Sequence, residues 1–224
     1  RRTWSELKVD IDAVFAELES GTFDAKGNLH YTPMRERTHF IYARGGLGKT
    51  FLDEMILDYV RGNGGIALGM ASSGIAALLL EGARTVHSRC KVPLDITDAS
   101  MMCGIRKQEA TARLIRRATL LLWDECTMLS KDVLEIIDRS LRDLMGTPEL
   151  AFGGKLFVFT GDWAQTLPVA KNRIATVNAS HLQSELWECV TQHELVVNER
   201  VRQCQLRGNP ADAKIYADWD AYLS

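Results

Sequence analysis

Between residues 38 and 160 short apolar runs alternate with amphipathic stretches, and this rhythm is the strongest structural signal in the chain. The runs THFIYA (38–43), GIALGM (65–70), TLLLW (119–123) and KLFVFT (155–160) are almost continuously apolar and rich in β-forming residues, so they predict strands buried on both faces. Between them, 49–61, 73–81, 105–117 and 130–145 carry apolar residues at helical spacing. Strands alternating with helices predict a parallel sheet covered on both sides, an α/β fold of three layers. Ahead of this core, residues 5–19 place Leu7, Ile11, Val14, Phe15 and Leu18 on one helical stripe behind a possible Ser5 cap. The stretch 90–105 has the weakest pattern and reads as loop and short helix. Beyond Asn198 polarity rises through RVRQCQLRGNPADAK.

Charge narrows the picture of possible partners. With 27 basic and 29 acidic residues, the net charge of −2 provides no molecule-wide positive field, so any binding of nucleic acid must come from a local groove. The five cysteines (Cys90, Cys103, Cys126, Cys189, Cys204) contain no C-x-x-C pair, which argues against zinc and a redox dithiol, and a reducing intracellular compartment is the simpler expectation. No apolar run approaches the roughly 18 residues of a membrane span, and RRTWSELK lacks a signal core. The absence of an initiator methionine suggests a fragment or excised domain.

The first chemical signal is ARGGLGKT (43–50), between a predicted strand and a predicted helix. Gly45, Gly46 and Gly48 allow backbone N–H groups to turn inward around phosphates, beside Ala43, Arg44 and Leu47, and the helix starting near Lys49 adds its positive end. Lys49 would reach the β and γ phosphates, and Thr50 would bind Mg²⁺. The alternative is a glycine-rich turn without a ligand. The second signal is LLLWDEC (120–126), an apolar strand ending in two acids. Ligands of such sheets bind at the carboxyl ends of strands, so Asp124 is the expected Mg²⁺ partner and Glu125 the general base that orients water. Taken alone, the two acids also fit a solvated strand end. In KLFVFTGDWAQTLPV (155–169), Gln165 can accept from water and donate to a phosphate oxygen, a candidate γ-phosphate sensor or merely an exposed turn residue. Arg200, in LVVNERV, offers a guanidinium for the transferring phosphoryl group.

These segments, with ASSGIAALLLEGARTVHSRCKVPL (71–94), resemble the Pif (petite integration frequency) family of superfamily-one DNA helicases, in particular its Helitron-like branch. The quoted features are GKTFL (48–52), ASSGIAALLL (71–80), ARTVHSR (83–89), WDE (123–125), FGGK (152–155), GDWAQTLPV (161–169) and NER (198–200). The resemblance implies a P-loop NTPase of RecA-like fold, using ATP and Mg²⁺ to move five-prime to three-prime along single-stranded DNA and to unwind duplexes and junctions. It further implies nuclear or mitochondrial placement and links to repair, recombination and telomere upkeep. Catalysis would fall to Lys49, Glu125, Gln165 and Arg200. The DNA path would be lined by Ser72, Ser73, Arg84, Thr85, His87, Ser88 and Arg89, whose hydroxyls and charges suit phosphate oxygens. Against that stands a plainer role, in which Ser72 or Ser73 caps the helix carrying Ile75, Leu78 and Leu79 and the basic residues form a solvated face. The cluster Arg106, Lys107, Arg113, Arg116 and Arg117 reads as ordinary surface.

The sequence departs from the family pattern in four ways. No glutamine precedes the loop to read the adenine edge, Lys8 and Ile11 standing in the L-N-x-x-Q register; Ala43, Ala164 and Glu199 replace a usual glycine, arginine and methionine. None of these removes a reacting group. The expected organisation is an N-terminal helix and linker (1–35), one motor lobe (36–200) and the start of a truncated second lobe (201–224), so the chain alone should bind nucleotide weakly and hydrolyse it slowly. The competing readings are an ATPase switch or inactive transposon-derived relic without unwinding activity, and a non-catalytic DNA-binding module. Retention of Glu125 favours chemistry over the last. A GTPase is disfavoured by the absence of N-K-x-D, and a small-molecule kinase leaves ASSGIAA and GD-x-x-Q unexplained.

Overall fold

The computed structural model describes residues 22–23, 29–30, 37–98, 100–165, 168 and 177–196. The expected helix at 5–19 and everything after 196, including Arg200 and Cys204, lie outside the described residues. A short antiparallel pair, β1 (Thr22–Phe23) and β2 (Leu29–His30), precedes the main sheet.

That sheet has six strands, all paired in parallel: β3 (Thr38–Tyr42), β4 (Ala67–Ala71), β5 (Arg84–Thr85), β6 (Leu120–Asp124), β7 (Leu156–Gly161) and β8 (Thr191–Glu194). Their spatial order is β5-β4-β6-β7-β3-β8. From β3 the chain crosses two strand positions through α1 (Lys49–Gly62) to β4, and β6 and β7 later fill the gap. Strand β8 then pairs on the other side of β3, so the order reverses there, at the place where open α/β sheets bind ligands. Helices α2 (Gly74–Leu79), α3 (Val86–Cys90), α4 (Ala110–Arg117) and α5 (Lys131–Met145) complete the layers.

Strand periodicity divides the core in two, because successive side chains point to opposite faces. Phe40, Met70, Trp123, Phe157 and Phe159 enter one cluster, with Val133, Ile137 and Leu141 of α5 and Ile115 of α4. Ile41, Leu120, Leu122, Leu156 and Val158 enter the other, against Leu52, Ile56, Leu57 and Val60 of α1. One face is aromatic and the other aliphatic, a distinction hidden in runs that read as uniformly apolar.

The α/β three-layer expectation matches this architecture. The predicted boundaries shift by no more than two residues in most elements, and the helix expected from 105 begins at Ala110. Gly65 lies outside β4, packed so closely on Val60 that a Cβ there would stand 2.8 Å from a Val60 methyl. Strands β5 and β8 escaped the sequence reading. The first has two residues, and the second, TQHE, is a polar edge strand half open to solvent.

Candidate functional site

The carboxyl ends of the central strands β6, β7 and β3 form one rim, and the site is built there. Leaving β3, Ala43 donates its N–H to the Gly161 carbonyl at 3.1 Å, which ties the loop 43–48 to the end of β7. Gly46 and Gly48 hold φ of 90° and 92°, a left-handed geometry that glycine adopts without strain. Gly48 caps α1 with no side-chain bond, so the first-turn N–H groups of this 14-residue helix face an anion-favouring pole. Arg44 donates from Nε to the Tyr42 hydroxyl at 3.3 Å, and Leu47 packs into the aliphatic core. Gln165 lies directly over the loop: a Cβ on Gly45 would stand 3.1 Å from its side-chain nitrogen.

Lys49 and Thr50 open α1. The Lys49 ammonium donates to Glu125 Oε1 at 2.5 Å and lies 3.7 Å from Asp124 Oδ1. Burial alone would lower its pKa, but Asp124, Glu125 and Asp53 outweigh that and hold it above the usual lysine value. Thr50 is half-buried in the same first turn.

Asp124 is the last residue of β6 and is buried, and its Oδ1 accepts from the Glu125 N–H at 2.7 Å and is 3.0 Å from Thr160 Oγ1 of β7. Glu125 follows at φ 55° and ψ 38°, left-handed backbone that costs a non-glycine residue on the order of 1 kcal/mol. Two bonds hold it there: Ser72 Oγ donates to its carbonyl at 2.6 Å, and Met128 N–H donates to the same carbonyl at 3.1 Å. The turn swings the Glu125 side chain toward Lys49, where continued extended backbone would carry it along the strand.

Asp53, one helical turn after Lys49, was not among the expected site residues. It is fully buried, and its Oδ2 is 3.0 Å from Thr160 Oγ1. Burial first, and then the charge of Asp124, raise its pKa well above the ordinary carboxylate range. The signal in the sequence was an acid placed between Leu52 and Ile56 on the apolar side of α1.

Residues 71–89 are organised differently. Ser72 accepts from the Trp123 indole N–H at 2.9 Å while donating to Glu125, so its hydroxyl works inside the fold. Ser73 caps α2 by accepting from Ala76 N–H, and Thr85 caps α3 by accepting from Ser88 N–H. Arg89 donates to the Gly82 carbonyl at 2.7 Å, and burial together with Arg84 and Arg61 lowers its pKa. Arg84 and Ser88 are exposed and His87 is half-buried. Thus the plainer capping role applies to Ser73 and Thr85, while Arg84, His87 and Ser88 retain surface for a ligand. Lys107 pairs with Asp143, and Arg116 donates to the carbonyls of Lys107 and Leu144, in keeping with a surface role.

Among the described residues no three metal-ligating side chains of His, Cys, Asp or Glu cluster, and Cys90, Cys103, Cys126 and Cys189 are free thiols. No helix among the described residues is long and apolar enough to cross a membrane.

Comparison with known proteins agrees with this fold. The chain is 27% identical over 175 residues to the ATP-dependent DNA helicase RRM3 of Saccharomyces cerevisiae, a match covering 76% of this chain and 24% of that protein. It is 28% identical over 181 residues to the ATP-dependent DNA helicase Pif1 of a Psychrobacter species, covering 80% of this chain and 27% of the relative. The chain therefore spans about a quarter of the length of these relatives. In three dimensions it superposes on Bacteroides Pif1 bound to single-stranded DNA with a TM-score of 0.59 and 26% identity, over 72% of this chain and 38% of the other. Residues 30–221 match the model of the PIF1-like helicases, and with that span of sequence and a RecA-like sheet to support it, the chain belongs to the PIF1-like helicase family.

Proposed function

We propose that this chain is the nucleotide-hydrolysing first lobe, residues 36–200, of an ATP-dependent DNA helicase that acts on single-stranded DNA and junctions. The observation that carries the reading is the meeting of Lys49, Asp124 and Glu125 at one rim, beside a glycine loop on which Gln165 rests. The residues present fit a magnesium nucleotide: left-handed glycines, an uncapped helix start, a lysine and a buried aspartate. Loop residues 43–50 would hold the phosphates, and Thr50 with Asp124 would hold Mg²⁺. Bound there, the ion supplies neutralisation of the charge on the β and γ phosphates.

The pairing of Lys49 with Glu125 gives the chemistry an order. Phosphate oxygens compete for the Lys49 ammonium, and as it turns to them the Glu125 carboxylate is released to accept a proton from water. Gln165 exchanges hydrogen-bond partners when the γ phosphate leaves, and Arg200 neutralises charge on the transferring group. Arg84, His87 and Ser88 contact the DNA backbone, while Ser72, Ser73, Thr85 and Arg89 shape that surface from within. Placement in the Helitron-like branch rests on the ASSGIAALLL and ARTVHSR segments. Nuclear or mitochondrial action in repair, recombination or telomere upkeep is the corresponding biological setting, and the named yeast and bacterial relatives support the helicase activity.

The test is ATP hydrolysis by the full-length protein with and without single-stranded DNA, beside a Glu125→Gln variant. We expect stimulation by DNA and a loss of about 10²–10⁴-fold in the variant, the usual span for removing a general base. Hydrolysis that ignores DNA would remove the motor from this reading and leave a nucleotide switch.

A further inference from the structure

Thr160 lies between two carboxylates, 3.0 Å from Asp53 Oδ2 and 3.0 Å from Asp124 Oδ1. A threonine hydroxyl has one hydrogen, so it can donate to only one of them. The other contact must be a donation to Thr160 from a protonated carboxyl, or it becomes a buried repulsion between lone pairs.

The surroundings decide which acid carries the proton. Asp124 Oδ1 also accepts the Glu125 N–H at 2.7 Å and lies 3.7 Å from the Lys49 ammonium, all of which favour an ionised acceptor. Asp53 is fully buried on α1, and its second oxygen, Oδ1, has no hydrogen-bond partner among the described residues. An ionised carboxylate with a bare oxygen at that depth would cost several kcal/mol, whereas the neutral acid avoids most of that cost. The ionisable groups acting on Asp53 are Lys49, Asp124 and Glu125, and the two acids outnumber the single ammonium.

We propose that Asp53 and Thr160 are a positioning pair for the magnesium-side carboxylate: Asp53, as the neutral acid, donates to Thr160, and Thr160 donates to Asp124. The chain of donors has one direction, so the Asp124 carboxylate is held in one orientation, leaving its other oxygen for the nucleotide's cation. It also leaves the rim with Lys49, Asp124 and Glu125 as its charged members. Both residues flank the short motifs at the rim, one position after 48–52 and one before 161–169. The pair's role in orienting Asp124 rests on the nucleotide site proposed above, but its protonation does not.

Two measurements on the 224-residue chain test it. Infrared difference spectra of the wild type minus Asp53→Asn, recorded at neutral pH without nucleotide, should contain the C=O stretch of one protonated carboxyl. Its absence overturns the proposal whatever becomes of nucleotide binding. Affinity for a fluorescent ATP analogue, with Mg²⁺ and again in chelator, then separates the roles. Thr160→Val should weaken Mg²⁺-dependent binding about tenfold or more, as the loss of an outer support of a metal ligand does, and leave binding in chelator unchanged. Thr160→Ser should restore it. Asp53→Asn, which keeps a donor toward Thr160, should remain close to wild type. If Asp53→Asn weakens Mg²⁺-dependent binding as much as Thr160→Val does, Asp53 acts through a negative charge and the proposal fails. If no variant and no wild type binds the analogue, the nucleotide reading fails, while the infrared band still decides the protonation.

Discussion

The rim at 43–50 and 124–125 and the segment at 71–89 carry equally family-like sequence, yet the fold uses their polar side chains in opposite ways. At the rim, side chains from α1, β6 and β7 turn toward each other, and Lys49, Asp53, Asp124, Glu125 and Thr160 form one electrostatic unit. In 71–89 the hydroxyls of Ser72, Ser73 and Thr85 are engaged by nearby backbone or by Trp123, and the exposed positions include Ile75, Leu78, Leu79 and Arg84. A motif residue can thus matter by reacting or by shaping, and only its partners tell which. The two regions are also joined, because Ser72 holds the carbonyl of the left-handed Glu125.

Substitutions that separate reacting from shaping should show a graded series. The largest effect is expected at Asp124: Asp124→Asn keeps the shape but removes the charge, and Mg²⁺-supported hydrolysis should fall roughly a hundredfold or more with little change in melting temperature. An unchanged rate would move the cation site away from β6. Ser72→Ala should act on both properties, because it leaves the Glu125 carbonyl and the Trp123 indole without their shared partner. Chemical denaturation should register about 2 kcal/mol of lost stability, together with slower hydrolysis. If stability falls but turnover does not, the strained turn at Glu125 is held by other means. Ser73→Ala and Thr85→Ala should each cost about 1 kcal/mol, the value of a helix N-cap, and leave nucleotide affinity alone. Arg84→Ala should do the reverse, with no shift in melting temperature but weaker binding to single-stranded DNA of any sequence and a shallower dependence on salt, by about one unit of slope.

The far end of the sheet's edge supplies a control that touches neither region. His39 Nδ1 lies 3.1 Å from His193 Nε2 across β3 and β8, and burial, then His193, lowers the His39 pKa to about 4 from 6.5. The unfolded chain therefore takes up this proton first as acid is added. The stability is complete above pH 6.5 and is lost as pH falls toward 4, by roughly 3 kcal/mol for a shift of this size. Burial lowers His181 to about 4 as well, so His39→Gln should flatten the acid limb of the stability curve in part and leave the His181 share. A limb of unchanged slope would show that His39 is not the group responsible.

The contrast between regions also explains what the sequence could reveal. Buried strands, the glycine loop and the acids after TLLLW were legible because each rests on a local rule: continuous apolarity, left-handed glycine, polar residues at a strand's carboxyl end. Asp53 and Thr160 were not, since their meaning lies in a contact between residues 107 positions apart, brought together by the pairing of β7 with β3, the strand that leads into α1. An acid on the apolar side of α1 was the one hint. Strand β8 was missed because TQHE has no apolar alternation; it is defined by pairing to β3. The role of the hydroxyls in 71–89 was ambiguous for the same reason that caps always are, as Ser and Thr serve backbone and phosphate with the same oxygen.

The central claim is that Lys49, Thr50, Asp124 and Glu125 serve one magnesium triphosphate while the hydroxyls of Ser72, Ser73 and Thr85 serve the fold. Calorimetric titration of the chain with a non-hydrolysable ATP analogue and Mg²⁺, comparing wild type, Lys49→Ala and Thr85→Ala, tests it most directly. The account predicts one saturable site in the wild type, kept in Thr85→Ala and lost in Lys49→Ala. Equal binding by Lys49→Ala, or loss of binding in Thr85→Ala without unfolding, would contradict it.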